Sequence, residues 1–445
     1  MQDVRSRFSE LRPPYPDLAA AAEEAERCLQ CGGDVYAPAP CTVACPAGVD
    51  VPGFIRAIAD GDVGRASDIV FADNPVGGSC ARVCPTPVLC EGACVLNHEG
   101  DMPVAIARLQ RFATDFGLAH RGGSACPPEV TRRGRIAVIG AGPGGLAAAS
   151  ELRRMGFEVV VFDGRPAVGG LVRYAIAPYR MWSSPLDAEA ERLSDLGVAF
   201  RLGTPVDSPE SLGDIDREFD AIYLAIGLGE DMELDIPGSD LEGVHAALPW
   251  IELLKEGRTP PLGERVAVIG GGNTAIDVAR EAVRLGAHDV TMLYRRTEAE
   301  MPAFHFEVEE GHEEGVRVLW LTIPVEFVGR DRLEGVKCRY ARLSDPDESG
   351  RRRPVEVPGT DFIFPCDTAI TALGQVARAD FLHWIPGVSL KGGRIAIDAE
   401  SGQTENPKYF AGGDAVNGGA TAVEAVGDAK RAARGIARYL EARLS

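Results

Sequence analysis

The stretch RIAVIGAGPGG, residues 135–145, decides the fold of this chain. A short apolar run rich in β-branched residues leads into G-x-G-x-x-G, the helical pattern LAAASELRRMG follows, and a second apolar strand, FEVVVFD, ends at Asp163. This is the strand–turn–helix–strand context that a dinucleotide-binding fingerprint requires. Gly140 permits the tight turn, Gly142 lets the backbone approach a pyrophosphate, and Gly145 allows close helix–strand packing. We therefore predict a dinucleotide-binding fold, in which Asp163 accepts hydrogen bonds from the adenosine ribose.

The same pattern recurs as RVAVIGGGNTA, where Gly270 and Gly272 take the first two glycine positions. The strand DVTMLYRR that follows ends in Arg295 and Arg296 and carries no acid at its tip. An acid there suits NAD, whereas arginines can bind the 2′-phosphate of NADP. The pair favours NADPH, with NADH, or two solvated arginines on a surface turn, as the alternatives.

A third segment, NPKYFAGGDAVNGGATAVEAVGDAKRAARGIARYL (406–440), contains a strand that ends at Asp414 and a helix after it. It resembles the late flavin-binding element of flavoproteins with two dinucleotide folds, in which the aspartate reaches the ribityl chain. The strand ends AIG (225–227) and ALG (372–374) resemble the points where the chain crosses between the two folds in such proteins. The resemblance implies that the first fold holds FAD and that the second, inserted into it, holds NADPH.

Eight of the eleven cysteines fall between residues 28 and 94, spaced C-x2-C-x9-C-x3-C-P and then C-x3-C-P-x4-C-x3-C. In a reducing cytosol such a cluster indicates metal ligation or redox chemistry rather than disulfides. Zinc sites favour paired C-x2-C steps, whereas four-iron clusters take four thiolates each, often with proline after a ligand. The spacing predicts two [4Fe–4S] clusters, with zinc or a set of plain buried thiols as alternatives. We expect the isolated Cys126, Cys338 and Cys366 to be plain buried or loop thiols.

Composition narrows the class of protein. The 445 residues are 45% apolar and 25% charged, enough for about three folded domains. The net charge of −20 argues against nucleic acid and anionic membrane surfaces as partners. No apolar run approaches the ~18 residues of a membrane helix, and the first residues lack the apolar core of a signal peptide. We expect a cytoplasmic protein.

Helical periodicity between the cysteines and after them completes the predicted architecture. The fold class is α/β, with a helical N-terminal iron–sulfur domain followed by two nested Rossmann-like domains. We predict an iron–sulfur domain over 1–128, an FAD-binding domain over 129–245 and 374–445, and an NADPH-binding domain over 246–373.

Four segments carry a family resemblance: CLQC, CTVACPAGVDVPGFI, DNPVGGSCARVCPTPVLCEGAC and PVAIARLQRFATDF. Over essentially its whole length the chain resembles the electron-input half of dihydropyrimidine dehydrogenase, which also occurs as a separate bacterial NAD(P)H-binding subunit. It is similar as well to the small subunit of bacterial glutamate synthase. PVAIARLQRFATDF resembles the dehydrogenase type, whereas LYRRTEAEMPA is more like the NADPH site of glutamate synthase. The resemblance implies the type of electron-transfer protein and leaves the final acceptor open.

The resemblance also implies a set of site residues. One cluster would be held by Cys28, Cys31, Cys41 and Cys94. The other would be held by Cys45, Cys84, Cys90 and Gln110, with Cys80 matching a cysteine that is not a ligand. Flavin contacts would come from Gly169, Gly170, Leu171, Arg180 and Thr421, and contacts of the second nucleotide loop from Asn273 and Thr274.

The implied function is transfer of electrons from NADPH through FAD and two clusters to an FMN-containing partner subunit, in a hetero-oligomer. Dihydropyrimidine dehydrogenase, which reduces uracil or thymine, is the main interpretation. The alternatives are the small (β) subunit of glutamate synthase, a ferredoxin–NADP oxidoreductase, or a redox sensor or scaffold without enzymatic activity. We expect the substrate-reducing site on another chain, since no segment of ~250 residues remains for a β/α barrel. Hydride transfer needs no acid–base pair, so we name no catalytic residue and expect Asp277 to be a solvated or capping carboxylate.

Overall fold

The computed structural model describes residues 4–32, 38–120, 129–182, 184–346 and 352–444. Cys126 lies outside these residues. The chain divides into a larger unit, residues 11–173, 180–229 and 377–445, and a smaller unit, residues 1–10, 174–179 and 230–376. Each unit is described by itself below.

In chain order the helices are α1 (Leu18–Glu26), α2 (Pro40–Val43), α3 (Val51–Ala59), α4 (Val63–Asp73), α5 (Gly77–Val83), α6 (Leu96–Glu99), α7 (Ile106–Ala119), α8 (Pro143–Arg154), α9 (Leu171–Tyr174), α10 (Ser184–Asp195), α11 (Pro209–Glu218), α12 (Ala247–Lys255), α13 (Asn273–Leu285), α14 (His305–Glu313), α15 (Ala379–Leu382), α16 (Asp414–Asn417) and α17 (Ala422–Leu444). The strands are β1 (Arg135–Ile139), β2 (Glu158–Phe162), β3 (Ala199–Arg201), β4 (Ala221–Leu224), β5 (Glu230–Asp231), β6 (Val244–Ala246), β7 (Arg265–Ile269), β8 (Asp289–Leu293), β9 (Arg317–Leu319), β10 (Thr322–Gly329), β11 (Leu333–Leu343), β12 (Pro354–Pro365), β13 (Thr368–Thr371), β14 (Gln375–Val376), β15 (Leu390–Lys391), β16 (Arg394–Ile395) and β17 (Tyr409–Ala411). Short 3-10 helices cover Val4–Arg7, Thr86–Val88 and Glu298–Glu300.

The cysteine-bearing part of the larger unit is helical, as predicted, and its helices begin at recognisable caps. The side chains of Asp17, Asp50 and Asp62 accept backbone N–H groups at the starts of α1, α3 and α4. Each cap satisfies an N–H group that would otherwise have no partner in the first turn. The apolar faces of α3, α4 and α7 then pack on one another.

The rest of the larger unit is built on a five-stranded parallel sheet with strand order β17-β4-β1-β2-β3. Its central strands read as continuous apolar runs because helices cover both faces. β17 comes from the last part of the chain and pairs with β4, so about 180 residues separate two neighbouring strands in sequence. This arrangement confirms the predicted interrupted dinucleotide fold.

The helical part and the first sheet share one hydrophobic core. The core runs from Phe54 and Ile58 in α3 to Val138 in β1 and Val426 in α17. Arg154 of α8 also donates hydrogen bonds to two backbone carbonyl oxygens at the end of α4. The cysteine helices are therefore held against the first dinucleotide fold by core packing.

The smaller unit contains the second parallel sheet, with strand order β6-β13-β7-β8-β9, and a three-stranded antiparallel sheet, β10-β11-β12. The segment 174–179 belongs to this unit although its sequence neighbours do not. Its Tyr179 is fully buried beneath the guanidinium groups of Arg280 and Arg284, which lie 4.7 and 4.5 Å from the ring centroid. In the described ranges, no helix combines the length and apolar character that crossing a bilayer requires.

Candidate functional site

Four cysteines line a first cavity of about 370 Å³ in the helical part. Cys28 and Cys31 follow α1, Cys41 lies in α2, and Cys94 precedes α6. The other lining side chains are apolar, among them Ile55. The four cysteines of the first predicted ligand set span 67 positions of sequence. The structure brings their side chains together around one cavity.

A second cavity of about 380 Å³ is lined by Cys45, Cys84 and Cys90 together with Gln110. The second predicted set is therefore also gathered around one space. Cys80, which the resemblance implied is not a ligand, lines this cavity as well.

Gln110 and Cys80 differ in how they sit at the second cavity. The Gln110 side chain donates from Nε2 to the carbonyl oxygen of Gly77 at 2.7 Å, which leaves its Oε1 oxygen for a metal. Cys80 is buried in α5 and its thiol hydrogen-bonds with that of Cys84. The backbone thus orients the side-chain amide of Gln110 at this cavity.

Burial controls the protonation of these thiols. It raises the pKa of Cys41 to about 12 and also raises the pKa values of Cys28, Cys45 and Cys90. A hydrogen bond with Cys80, together with burial, raises the pKa of Cys84 well above its usual range. Thiols of this kind become thiolates when iron binds, because the metal compensates the charge and releases the protons. Among the described residues, no three His, Cys, Asp or Glu side chains are grouped closely enough to hold a single metal ion. The thiols that line each cavity are the donors that iron–sulfur clusters take.

The first glycine loop leaves room for a pyrophosphate. A Cβ at Gly140 would lie 2.2 Å from the carbonyl oxygen of Ala225, and one at Gly145 would lie 1.9 Å from the carbonyl oxygen of Gly140. A Cβ at Gly142 would find its nearest heavy atom, the Cα of Gly170, at 3.9 Å. Gly142 is the N-cap of α8, and no described side chain caps that helix. The free N–H groups and the helix dipole therefore face an accessible space in front of the loop.

The tip of β2 and the Gly169–Gly170 turn complete this loop. Asp163 accepts the backbone N–H of Ala141 at 2.7 Å through Oδ2 and that of Arg165 at 2.8 Å through Oδ1. Each oxygen keeps a second lone pair for a ribose hydroxyl. Gly169 donates to the carbonyl oxygen of Ala141 at 2.8 Å, which brings the turn against the glycine loop.

The remaining predicted flavin contacts lie in two places. Leu171 begins α9, directly after the Gly169–Gly170 turn, and Arg180 lies between α9 and α10. Asp414 begins α16 and accepts the N–H of Ala420, and burial raises its pKa. Thr421 directly precedes α17 and exchanges hydrogen bonds with Glu424, as in a capping box.

The second glycine loop, in the smaller unit, has the same arrangement of one crowded and one open glycine. A Cβ at Gly270 would lie 2.2 Å from the carbonyl oxygen of Ala372, whereas no described heavy atom lies within 4 Å of a Cβ at Gly272. Asn273 accepts the N–H of Phe304 at 2.9 Å, and Thr274 lies in the first turn of α13. This loop can therefore also receive a pyrophosphate at a helix N-terminus.

Arg295 and Arg296 follow β8 after one intervening residue, Tyr294. In the part of the chain that the structure describes, neither side chain is ion-paired with a carboxylate. The Arg296 side chain hydrogen-bonds with that of Tyr294. The two guanidinium groups are thus available to an anion at the strand end.

Helix α17 joins the predicted flavin segment to the second cavity inside the larger unit. Val423, two residues after Thr421, lines the cavity of Cys45, Cys84 and Cys90. Lys430, further along the helix, donates from Nζ to the carbonyl oxygens of Ala47 and Asp73 at 2.8 and 3.0 Å. The helix therefore contributes Val423 to the lining of the cavity and is also anchored to the segments around it.

Two buried acids were missed or misjudged from the sequence. Glu189 of α10 accepts the N–H and the hydroxyl of Ser79 at 2.9 and 2.5 Å, and burial raises its pKa to about 7. The sequence offers no signal for it, because an acid in an amphipathic helix is normally exposed.

Asp277 was expected to be solvated or capping, and this was wrong: it is 5% exposed and accepts the hydroxyl of Tyr179 at 2.5 Å. Tyr179 is 98 residues away in sequence, so only the tertiary structure brings the two together.

Two family models match the chain. Residues 4–121 match dihydropyrimidine dehydrogenase domain II, 4Fe-4S cluster, and residues 134–429 match the pyridine nucleotide-disulphide oxidoreductase family. The second match covers about two thirds of the sequence, and the first coincides with the helical part that contains both cysteine cavities.

Curated relatives align with nearly the whole chain. The glutamate synthase [NADPH] small chains of Halomonas elongata and Escherichia coli are 36% and 35% identical, and both alignments cover 98% of this chain; they span 93% and 94% of those proteins. The NADP(+)-dependent formate dehydrogenase subunit beta of Moorella thermoacetica is 38% identical over 95% of this chain. The chain spans 62% of that relative's length.

Solved structures share the fold. Mycobacterium tuberculosis FprA in complex with NADPH gives a TM-score of 0.60 at 20% identity, over 70% of this chain and 86% of that one. T. acidophilum thioredoxin reductase gives 0.53 at 21% identity, over 70% and 99%. At this identity the likeness establishes the fold alone.

Proposed function

We propose that this chain, which belongs to the pyridine nucleotide-disulphide oxidoreductase family, is the electron-input subunit of a hetero-oligomer of the glutamate synthase type. It is an NADP-dependent oxidoreductase subunit with FAD and 4Fe–4S clusters. The single observation that carries the electron-input role is the position of α17. This helix begins beside the predicted flavin contact Thr421, and its Val423 lines the second cysteine cavity.

The cofactors supply the redox chemistry when bound, since a flavin accepts a hydride from a nicotinamide and releases single electrons, whereas an iron–sulfur cluster carries only single electrons. The work of this chain is to bind and orient them. Gly142 and Gly272 keep two helix N-termini open to pyrophosphates, and the cysteines with Gln110 would hold the clusters.

The lining of the two cavities supports an order between them. Val423 of α17 lines the second cavity, whereas all the lining residues of the first lie between Cys28 and Ile106. The set with Cys45 is therefore the better candidate for the position next to the flavin, and the set with Cys28 for the position further away.

The surroundings of the first cavity support a partner at that end. Leu29, Val43 and Met102 are apolar side chains close in sequence to its cysteines, and they are 56%, 64% and 76% exposed. Contiguous exposed apolar patches mark protein–protein contacts, and we propose that these three side chains belong to one. We propose an FMN-containing subunit as the partner.

Among final acceptors, glutamate synthase has the best support. Its small chains align over more than nine tenths of both sequences, whereas the link to dihydropyrimidine dehydrogenase consists of the model for the iron–sulfur part. Reduction of uracil or thymine therefore stays a prediction with weaker support.

The test is anaerobic titration of the purified protein with NADPH. We expect loss of the oxidised flavin absorbance, iron and sulfide equivalent to two four-iron clusters, and reduction of an artificial one-electron acceptor. Addition of a glutamate synthase large subunit should then give NADPH oxidation that depends on glutamine and 2-oxoglutarate. Flavin that NADPH leaves oxidised would refute the electron-input role, and turnover with uracil or thymine and an FMN barrel protein would replace the glutamate synthase assignment.

A further inference from the structure

A third arginine, from another part of the smaller unit, lies near the 3-10 helix that follows Arg295 and Arg296. Arg352 lies just before β12, more than fifty residues after Arg295 and Arg296 in sequence. Its Nη1 atom lies 4.0 Å from Oε1 of Glu300, in the 3-10 helix that follows the arginine pair. The spacing of the sequence offers no signal for this approach, because it depends on how the antiparallel sheet attaches to the second dinucleotide fold.

Backbone hydrogen bonds fix that attachment. The N–H of Leu321 donates to the carbonyl oxygen of Arg296 at 3.1 Å, and the N–H of Ala341 donates to the carbonyl oxygen of Leu321 at 2.7 Å. Ser344 lies three residues after Ala341, just past the end of β11. Its carbonyl oxygen accepts the Nε–H of Arg352 at 3.2 Å. A short chain of contacts thus connects the backbone of the arginine pair with the side chain of Arg352.

Glu300 does not neutralise this group of arginines. Its Oε2 oxygen accepts both the backbone N–H and the hydroxyl of Thr297, which closes a capping box over the turn after Arg296. These hydrogen bonds first of all, and the nearby charge of Arg352, lower the pKa of Glu300, so the acid is ionised at neutral pH. At 4.0 Å the contact with Arg352 is loose, and the Arg352 side chain is 47% exposed. The three arginines outnumber the two acids of this 3-10 helix, Glu298 and Glu300, so the net charge of the group is positive.

We propose that Arg352 is a specificity-determining residue that binds the 2′-phosphate of NADPH together with Arg295 and Arg296. This inference rests on the proposed use of NADPH and adds a residue to that site. A phosphate monoester carries close to two negative charges at neutral pH, and a guanidinium group can meet two of its oxygens at once. An arginine on the antiparallel sheet would also make nucleotide choice depend on a part of the chain outside the dinucleotide fold.

The experiment measures binding of a non-reacting probe, adenosine 2′,5′-bisphosphate, to the holoprotein by calorimetry, with adenosine 5′-monophosphate as the reference ligand. In Arg352→Ala we expect the dissociation constant of the bisphosphate to rise about tenfold and that of the monophosphate to stay the same. The ratio of KM values for NADPH and NADH should move in the same direction. The matched control is Arg330→Ala, an exposed arginine in the turn between β10 and β11.

Glu300→Gln separates direct binding from a structural role. The glutamine keeps an oxygen for Thr297 and removes the competing charge, so we expect bisphosphate affinity to be unchanged or higher. Weaker binding in Glu300→Gln, equal loss of both ligands in Arg352→Ala, or no loss in Arg352→Ala would each overturn the proposal. If Arg352→Ala keeps its affinity for the bisphosphate while Arg295→Ala loses it, and NADPH still reduces the flavin, the proposed function stands and only this inference falls. An NADPH-inert flavin in the parent protein would refute the function itself.

Discussion

Gly142 and Gly145 lie three residues apart, at the N-cap and in the first turn of α8, and their substitution by alanine should have different consequences. At Gly142 the backbone has φ −75° and ψ −179°, which any residue adopts, and the new Cβ would meet its nearest heavy atom at 3.9 Å. The protein without flavin should therefore keep its stability within about 1 kcal/mol. FAD binding should fail, because the methyl group occupies the face of the loop that a pyrophosphate approaches.

At Gly145 the new Cβ would lie 1.9 Å from the carbonyl oxygen of Gly140 and 3.0 Å from its carbonyl carbon. A carbon–oxygen contact is normally about 3.3–3.6 Å, so α8 would have to move by more than about 1 Å away from β1. Overpacking of this kind costs about 1–3 kcal/mol and often more. Gly145→Ala should therefore destabilise the protein even after the flavin has been removed.

The assay combines the FAD-to-protein ratio of the purified protein with urea unfolding in the presence and absence of added FAD. At 100 times its dissociation constant, FAD should stabilise the parent by about 2.7 kcal/mol and Gly142→Ala by close to nothing. The control is Gly272→Ala at the equivalent open position of the second loop, which should retain FAD and lose NADPH binding. A Gly142→Ala protein with a full complement of FAD, or a flavin-free Gly145→Ala protein as stable as the parent, would refute the reasoning.

Further predictions concern the larger unit. Because burial raises the pKa of Glu189 from 4.5 to about 7, its folded state binds the proton more tightly than the unfolded state. Stability should therefore fall by about 3 kcal/mol as pH rises from 4.5 to 7, and Glu189→Gln should remove this slope from urea titrations. Lys430→Met should lower the free energy of unfolding by about 1–3 kcal/mol with FAD content unchanged, because two carbonyl oxygens lose a charged donor; an unchanged urea midpoint would contradict this. Gln110→Leu should halve the iron content and Cys80→Ser should leave it unchanged, and the reverse result would exchange their roles.

Local patterns predicted the folds well. The loops around Gly140 and Gly270 were identified because a strand, a glycine turn and a helix are short-range features that follow from backbone sterics and periodicity. The helical character of the cysteine region was predictable for the same reason. The division of the cysteines into two sets came from the family resemblance, since their spacing alone is compatible with several groupings.

The sequence by itself determined the two nucleotide loops, the arginines at the end of β8 and the presence of a dense set of thiols, because each is written in residues close together along the chain. Only the tertiary structure decided that Val423 of α17 lines the cavity of Cys45, that Glu189 and Asp277 are buried, and that Arg352 reaches Glu300. These contacts join residues from about 50 to more than 350 positions apart. They depend on how helices and sheets pack, and no local pattern encodes that packing.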